Sequence, residues 1–131
     1  MNELSCGMAS ALDEAMKTVV EIEGAEWERE IPSATRPVLA HFHTSWCGQC
    51  RILFPSLEAL AAELEDELQV ARVNLDHCPE LARRYGITGV PALVLFDNGM
   101  PVAALDPWMS PRQVKAHLQG LLADYAAQNR N

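Results

Sequence analysis

Stretches with strand-like and helix-like hydrophobic patterns alternate along most of this 131-residue chain. Residues 37–43 form a compact apolar run bounded by turn residues, which is typical of a buried strand. Apolar residues at helical spacing follow, at Ile52, Leu53, Leu57, Leu60, Leu64 and Leu68, and the alternation continues to a last amphipathic run near the C-terminus. With 49% hydrophobic and 21% charged residues, a chain of this length has the balance and the size of one globular domain.

The patterns predict nine elements in the order strand, helix, strand, helix, strand, helix, strand, strand, helix. Their predicted bounds, in the same order, are 18–22, 24–30 (a brief helix or a turn), 37–43, 47–65, 69–75, 79–86, 92–96, 101–105 and 111–127. Asn98-Gly99 is the dipeptide favoured in tight hairpins, so the last two strands should pair antiparallel. The predicted fold class is α/β, a mixed central sheet of about five strands with helices on both faces.

A short helical extension, residues 1–17, is expected before a domain of residues 18–131. Ser10 and Asp13 match a capping box, and apolar residues recur every four positions, at Leu4, Met8, Leu12 and Met16. This stripe either docks on the domain or serves as an arm for a partner or a second copy. The sequence shows no signal-peptide pattern and no apolar run of membrane-spanning length, so a cytoplasmic location is expected.

The chain is acidic, with 18 Asp and Glu against 10 Lys and Arg and a formal charge of −8. Such a charge repels polyanions, so neither nucleic acid nor an anionic membrane is an expected partner. Eight of the acids and only two of the bases lie in residues 1–30. Most of the charge therefore belongs to the N-terminal part of the chain.

Four cysteines stand at positions 6, 47, 50 and 78, and only the pair Cys47-Gly48-Gln49-Cys50 has a diagnostic spacing. The pair lies where a predicted strand passes into a long helix, and a helix N-terminus stabilises a thiolate. Cys47 is therefore expected to attack disulfides as an exposed nucleophile. Cys50, more sheltered and within disulfide reach, is expected to resolve the mixed disulfide. A lone CxxC can also be half of a zinc site, but no second CxxC is present in the sequence.

WCGQC, Pro55, and the stretch VNLDHCPELARRYGITGVPALVLFDNG resemble the thioredoxin family over roughly residues 18–127. The resemblance implies the thioredoxin fold and a cytosolic thiol–disulfide oxidoreductase that reduces or exchanges protein disulfides without a cofactor. It implies protein disulfides as substrates and a thioredoxin reductase or another dithiol donor as partner. It also implies a cis peptide at Val90-Pro91, facing the cysteines. The implied substrate-binding residues are Trp46, Gly48, Gln49, Val90, Pro91 and Trp108.

Two residues near the cysteines depart from the family pattern. Gln49 stands where the family usually has proline; the change frees a backbone N–H near the attacking sulfur, so a more oxidising pair is expected. His41 stands where the family usually buries an aspartate that helps move the proton of the resolving thiol. A histidine can also accept a proton and titrates nearer neutrality, so His41 is a possible proton acceptor. The alternative is a core histidine without a kinetic role.

His43 stands where the family usually has an aromatic residue, and on a strand it shares a face with His41. Together with the cysteine pair, the two histidines compose a Cys₂His₂ set that would suit zinc. A bound metal would block the redox pair, so no metal is expected.

Other positions have smaller expected roles. Cys78, beside His77 at a helix start, is expected to be somewhat acidified but a spectator, and Cys6 to be inert. Asp76 matches a family acid that helps hold the tryptophan before the nucleophile. Pro107 and Trp108 replace a small glycine of the family, which should reshape the substrate groove and restrict substrate choice. A redox-quiet interaction or chaperone-like module on the same fold is the alternative function.

Overall fold

The structure is a computed structural model and describes residues 19–108 and 110–129. Its strands are β1 (Val19–Glu21), β2 (Val38–His43), β3 (Gln69–Asn74), β4 (Ala92–Asp97) and β5 (Met100–Leu105). Its helices are α1 (Gly24–Glu30), α2 (Gly48–Glu63), α3 (Pro79–Tyr85) and α4 (Pro111–Asn129). The predicted order of elements is confirmed. The predicted N-terminal helix, its apolar stripe and Cys6 lie outside the described residues, so the division into extension and domain stays a prediction.

The five strands form one mixed sheet in the order β1-β3-β2-β4-β5. β1 and β2 both run parallel to β3, whereas β4 runs antiparallel to β2 and β5 antiparallel to β4. Asn98 and Gly99, with φ angles of 53° and 82°, make the tight turn between the last two strands. The mixed sheet and its terminal hairpin are therefore as the sequence predicts.

One face of the sheet is covered by α1 and α3. Trp27 of α1 is buried there, with its ring centroid 5.7 Å from that of Phe42 and 5.2 Å from that of Phe96. Its indole N–H donates to the Tyr85 hydroxyl at 3.0 Å, which satisfies the polar end of the ring. This aromatic cluster binds both short helices to the sheet.

The other face is covered by α2 and α4, whose apolar residues pack around Leu39 of β2. Side chains alternate along a strand. Ala40 and Phe42 belong to the first face, so His41 and His43 share the second face with Leu39. The two histidines therefore share one face, as predicted, and this is the face covered by α2 and α4.

The ends of α3 and α4 form as the sequence predicts. Gly86 ends α3 in the left-handed conformation, with φ 66°. Ser110 caps α4, since its hydroxyl accepts the Gln113 N–H at 3.2 Å and its own N–H donates to the Gln113 side chain at 2.9 Å.

The apolar stripe predicted for α2 is wrong at one position. Ile52 is 71% exposed, whereas Leu53 and Leu57 pack toward the core. Successive helical residues are rotated by about 100°, so Ile52 cannot share the inward face of its neighbour Leu53.

Pro55 lies inside α2, which runs from Gly48 to Glu63. No helix of the described residues is long and apolar enough to cross a bilayer.

Candidate redox site

Cys47 lies at the junction between β2 and α2, as the N-cap residue of the helix. Its N–H donates to the Thr44 carbonyl at 3.3 Å, which closes the short loop after the strand. Its sulfur accepts the backbone N–H of Cys50 at 3.1 Å. Sulfur here occupies the place of a capping oxygen, at the end of the helix where partial positive charge accumulates. This environment stabilises a thiolate at Cys47.

Cys47 and Cys50 are joined by a disulfide bond, with their Cα atoms 5.3 Å apart. Both residues are buried, Cys47 with 6% and Cys50 with 2% of its surface exposed. The prediction of an exposed nucleophile is therefore wrong for this oxidised state. The bond holds the Cys47 sulfur against the first turn of α2, where Cys50 also lies.

The predicted substrate-binding residues on the chain next to the cysteines, and Trp108 in the loop after β5, are far more exposed than the two cysteines. Trp46 is 75% exposed and Trp108 is 65% exposed, and Gly48 and Gln49 also face solvent. The backbone N–H of Trp108 donates to the Asp106 carboxylate at 2.9 Å, which fixes the loop after β5. The predicted substrate-binding roles of these residues stay predictions.

The peptide bond between Val90 and Pro91 is cis, as predicted. β4 begins directly after it, and Ala92 lies opposite Phe42 near the end of β2. Val90 and Pro91 therefore lie at the end of the sheet from which the chain passes to Cys47.

Residues at and just after the end of β3 hydrogen-bond to the loop that precedes Cys47. The Asp76 carboxylate accepts the backbone N–H of Ser45 at 3.0 Å, and the Asn74 amide donates to the Ser45 hydroxyl at 3.2 Å. Asp76 thus anchors the residue before Trp46 through its backbone. Its predicted action on the tryptophan side chain stays a prediction.

His41 is completely buried, and neither of its ring nitrogens has a hydrogen-bond partner among the described residues. Burial lowers its pKa to about 3, helped by the nearby His43 and Arg72 and opposed by Glu21. The expected titration nearer neutrality is therefore wrong, because the sequence does not show how deeply the ring is buried. His41 is neutral at neutral pH, and its role as a proton acceptor stays a prediction.

His43 has a carboxylate partner that the sequence analysis did not identify. Its Nε2 lies 3.3 Å from Glu21 Oε1, and Arg72 Nη1 lies 3.5 Å from Glu21 Oε2. The Arg72 guanidinium also lies 4.1 Å from the centre of the Phe54 ring on α2. Glu21 and Arg72 lie far from the histidines along the chain, and the pairing of β1 and β2 with β3 brings them together.

The predicted Cys₂His₂ set can be compared with the observed positions of its histidines. Among the described residues, no group of three or more His, Cys, Asp or Glu side chains is placed to hold a metal ion. The centroids of the His43 and His41 rings are 5.7 Å apart, and His43 forms a hydrogen bond with the Glu21 carboxylate. The two histidines therefore belong to a polar cluster of their own.

Cys78 is a free and buried thiol at the N-cap of α3. Burial raises its pKa, and the nearby Glu80 and Glu23 raise it further. The expectation of an acidified thiol is therefore wrong. Its S–H donates to the Asn74 carbonyl at 3.2 Å, so Cys78 is held as a structural residue.

The sequence of this chain is similar to those of known thioredoxins. The thioredoxin family model matches residues 18–119. A thioredoxin of Mycobacterium bovis is 34% identical over 90 residues, covering 69% of this chain and 78% of that protein. A thioredoxin-like protein of Synechocystis is 41% identical over 81 residues, covering 62% of this chain and 74% of that protein.

A longer relative also matches. A bifunctional thioredoxin reductase/thioredoxin of Mycobacterium leprae is 36% identical over 83 residues, which are 63% of this chain but only 18% of that protein. The family and the bonded cysteine pair together support a thiol–disulfide oxidoreductase. With the five-stranded mixed sheet and the family match over most of its length, this chain belongs to the thioredoxin family.

Proposed function

We propose that this protein reduces or exchanges disulfides of other proteins through Cys47 and Cys50. The observation that carries the proposal is the position of Cys47 at the N-cap of α2, bonded to Cys50 and accepting its N–H at 3.1 Å. A helix N-terminus lowers the pKa of a thiol, and the thiolate is the form that attacks disulfides. The proposal therefore assigns the attack to Cys47 and the resolution to Cys50.

The reaction starts from the reduced pair. The Cys47 thiolate attacks one sulfur of the substrate disulfide and forms a mixed disulfide with it. The substrate S–S bond breaks, and the other substrate sulfur leaves as a thiolate that takes a proton from solvent. Cys50 then loses its proton and attacks the Cys47 sulfur. This step forms the Cys47–Cys50 disulfide and releases the second substrate thiolate. Two electrons pass from the cysteine pair to the substrate.

The proposed substrate surface surrounds the cysteine pair. Trp46 and Trp108 offer exposed indole rings, and Gly48 and Gln49 are exposed beside the sulfurs. An extended substrate segment would pair with the backbone at Val90 and Pro91, in the manner of an added strand. Pro107 is rigid and Trp108 is bulky, so the proposed groove accepts fewer substrates than a groove bordered by glycine.

A dithiol donor must return the pair to its reduced form after each turnover. We assign this role to a thioredoxin reductase or another dithiol donor, since the Mycobacterium leprae relative is a bifunctional thioredoxin reductase/thioredoxin. A reducing compartment such as the cytoplasm suits the proposal.

Reduction of insulin by dithiothreitol, followed by turbidity, tests the proposed function. We expect the wild-type protein to accelerate precipitation and Cys47→Ser to return the rate to that of dithiothreitol alone. Cys78→Ser is the matched control, because it removes a thiol outside the site, and it should keep most of the activity. A wild-type protein no faster than dithiothreitol alone would contradict the proposal and favour the redox-quiet binding module.

A further inference from the structure

A groove lies between α2 and α4, the two helices that cover the second face of the sheet. It has a volume of about 510 Å³, and most of its surface is apolar. This volume lies in the range of clefts that bind ligands. The side chains that the argument uses are, on α2, Pro55, Ser56, Ala59 and Glu63 and, on α4, Arg112 and Lys115. The groove is large enough to receive side chains of a bound segment.

One side of α2 connects the groove with the proposed substrate surface. Residues three and four apart share a side of a helix, and this side carries Gln49, Ile52, Ser56 and Ala59. Gln49 belongs to the proposed substrate surface, whereas Ser56 and Ala59 line the groove. Ile52 lies between them. The α2 wall of the groove is therefore continuous with the surface beside the cysteine pair.

The α4 wall of the groove also begins beside that surface. Arg112 lies in the first turn of α4, four residues after the exposed Trp108. Ser110 caps this turn through its hydrogen bonds with Gln113, and Asp106 holds the backbone of Trp108. Both walls therefore lead back to residues that are proposed to contact the substrate.

Ile52 gives the connecting side an apolar contact point. Its side chain is 71% exposed, although its neighbour Leu53 packs toward the core. A single exposed apolar residue is ordinary on a protein surface, but this one lies between the cysteine pair and an apolar groove. An apolar side chain placed on Ile52 would remove the surface of both from water. The position therefore favours a bound segment with an apolar residue.

The groove carries positive charge on an acidic protein. The formal charge of the chain is −8. Lys115 is ion-paired with Glu63, so these two charges offset each other. Arg112 is exposed and forms no hydrogen bond or ion pair with any residue in the described part of the chain. A guanidinium pairs well with a carboxylate, so the segment that complements the groove is one that carries Asp or Glu.

We propose that this groove binds an extended segment of the substrate protein next to the disulfide, an inference that rests on the proposed function. An apolar side chain of the segment covers Ile52, and a carboxylate of the segment pairs with Arg112. At the helical rise, Ile52 lies about 8 Å and Ala59 about 18 Å along α2 from Cys47. An extended chain advances about 3.3 Å per residue, so the apolar residue is about three and the carboxylate about five residues from the substrate cysteine. Ile52 and Arg112 thus select this class of substrate.

Reduction of synthetic peptide disulfides by the reduced full-length protein tests the groove. The substrates are symmetric disulfide dimers of three peptides, each with one cysteine. They differ only at the third and fifth residues after the cysteine, which are leucine and glutamate, serine and glutamine, or leucine and lysine. Each rate constant is divided by that for dithiothreitol with the same dimer, which corrects for the reactivity of the peptide itself. It is then expressed relative to 2-hydroxyethyl disulfide, which is too small to reach the groove.

We expect the wild-type protein to prefer the leucine–glutamate dimer over the serine–glutamine dimer by at least about fivefold at low ionic strength. Arg112→Glu should reverse the charge preference, so that the leucine–lysine dimer becomes the faster substrate. Ile52→Ser should remove most of the advantage that leucine gives.

Arg83→Glu is the matched control, because Arg83 is an exposed arginine on α3, and the substitution changes the net charge by the same amount. It should keep the wild-type preference. If Arg83→Glu shifts the preference as much as Arg112→Glu does, net charge selects the substrate and the groove proposal is wrong. A preference that weakens as the protein concentration rises would place a second copy in the groove and would also overturn it.

The same rates separate this inference from the proposed function. If the wild-type protein reduces all three dimers at equal relative rates, the groove does not select substrates, whereas the proposed function stands. If it reduces neither the dimers nor 2-hydroxyethyl disulfide, the proposed function fails and the groove proposal fails with it.

Discussion

At the scale of single residues, Cys47 and Cys50 differ mainly in what lies next to them. The Cys47 sulfur lies at the N-terminus of α2 and accepts the Cys50 N–H, whereas Cys50 is buried within the first turn of the helix. The pair itself was predictable, because CxxC at a strand–helix junction is a local pattern. The pKa of His41 was not, because it depends first on how deeply the ring is buried and then on His43 and Arg72, and the packing and strand register that set these are not local.

Gln49 allows a direct test of how the first turn of α2 tunes the disulfide. Gln49→Pro removes a backbone N–H from this turn without breaking the helix, since proline is tolerated there. The Cys47 thiolate loses stabilisation, so we expect the reduction potential to fall by about 30 mV, a tenfold change in the equilibrium constant. Equilibration with glutathione measures it. Glu58→Gln, on the exposed side of α2, is the control and should leave the potential unchanged. An unchanged potential in Gln49→Pro would contradict the role assigned to Gln49.

At the scale of elements, the sequence predicted the strands, helices and turns because their signals are local. Gly86, Asn98-Gly99 and Ser110 each specify a turn or cap through their own backbone and side chain. How elements approach one another is not local. Gly24 at the start of α1 lies against Cys78 at the N-cap of α3, a contact between residues from distant parts of the chain.

The close contact between α1 and α3 at Gly24 predicts that two glycine substitutions have opposite effects on stability. A Cβ at Gly24 would lie 2.6 Å from the Cys78 Cβ, so Gly24→Ala should destabilise the protein by about 1–3 kcal/mol as α1 and α3 move apart. A Cβ at Gly120, within α4, meets nothing within 4 Å, so Gly120→Ala should stabilise it by about 0.5–1 kcal/mol. Urea unfolding of the oxidised proteins measures both. Equal stability of the two variants would show that the α1–α3 contact is not tight.

At the scale of the whole molecule, two titratable side chains on the sheet face beneath α2, His41 and Glu21, make stability depend on pH. The His41 pKa is lowered from 6.5 to about 3 in the folded protein, and that of Glu21 is lowered from 4.5. In both cases the unfolded chain binds its proton first as the pH falls. The contribution of His41 to stability is therefore complete above pH 6.5 and is lost as the pH falls toward 3, and the contribution of Glu21 is lost below pH 4.5.

The size of this effect is measurable by urea unfolding between pH 7.5 and pH 4. Each unit of pKa difference is worth about 1.4 kcal/mol, so His41 contributes a decline on the order of a few kcal/mol. His41→Leu should reduce the decline, since leucine does not titrate, and should raise stability at low pH. A variant whose stability falls as steeply as that of the wild-type protein would show that His41 is not the group responsible.

The most direct test of the Cys47–Cys50 assignment is covalent capture of a substrate by Cys50→Ser, with insulin as the disulfide substrate. Without the resolving thiol, Cys47 should remain in a mixed disulfide, visible as an adduct by mass spectrometry and reversed by dithiothreitol. Cys47→Ser, which keeps Cys50 buried on α2, should give no adduct. Capture by Cys50→Ser alone is the predicted result. No adduct with Cys50→Ser, or an equal adduct with Cys47→Ser, would contradict Cys47 as the nucleophile and Cys50 as the resolving cysteine.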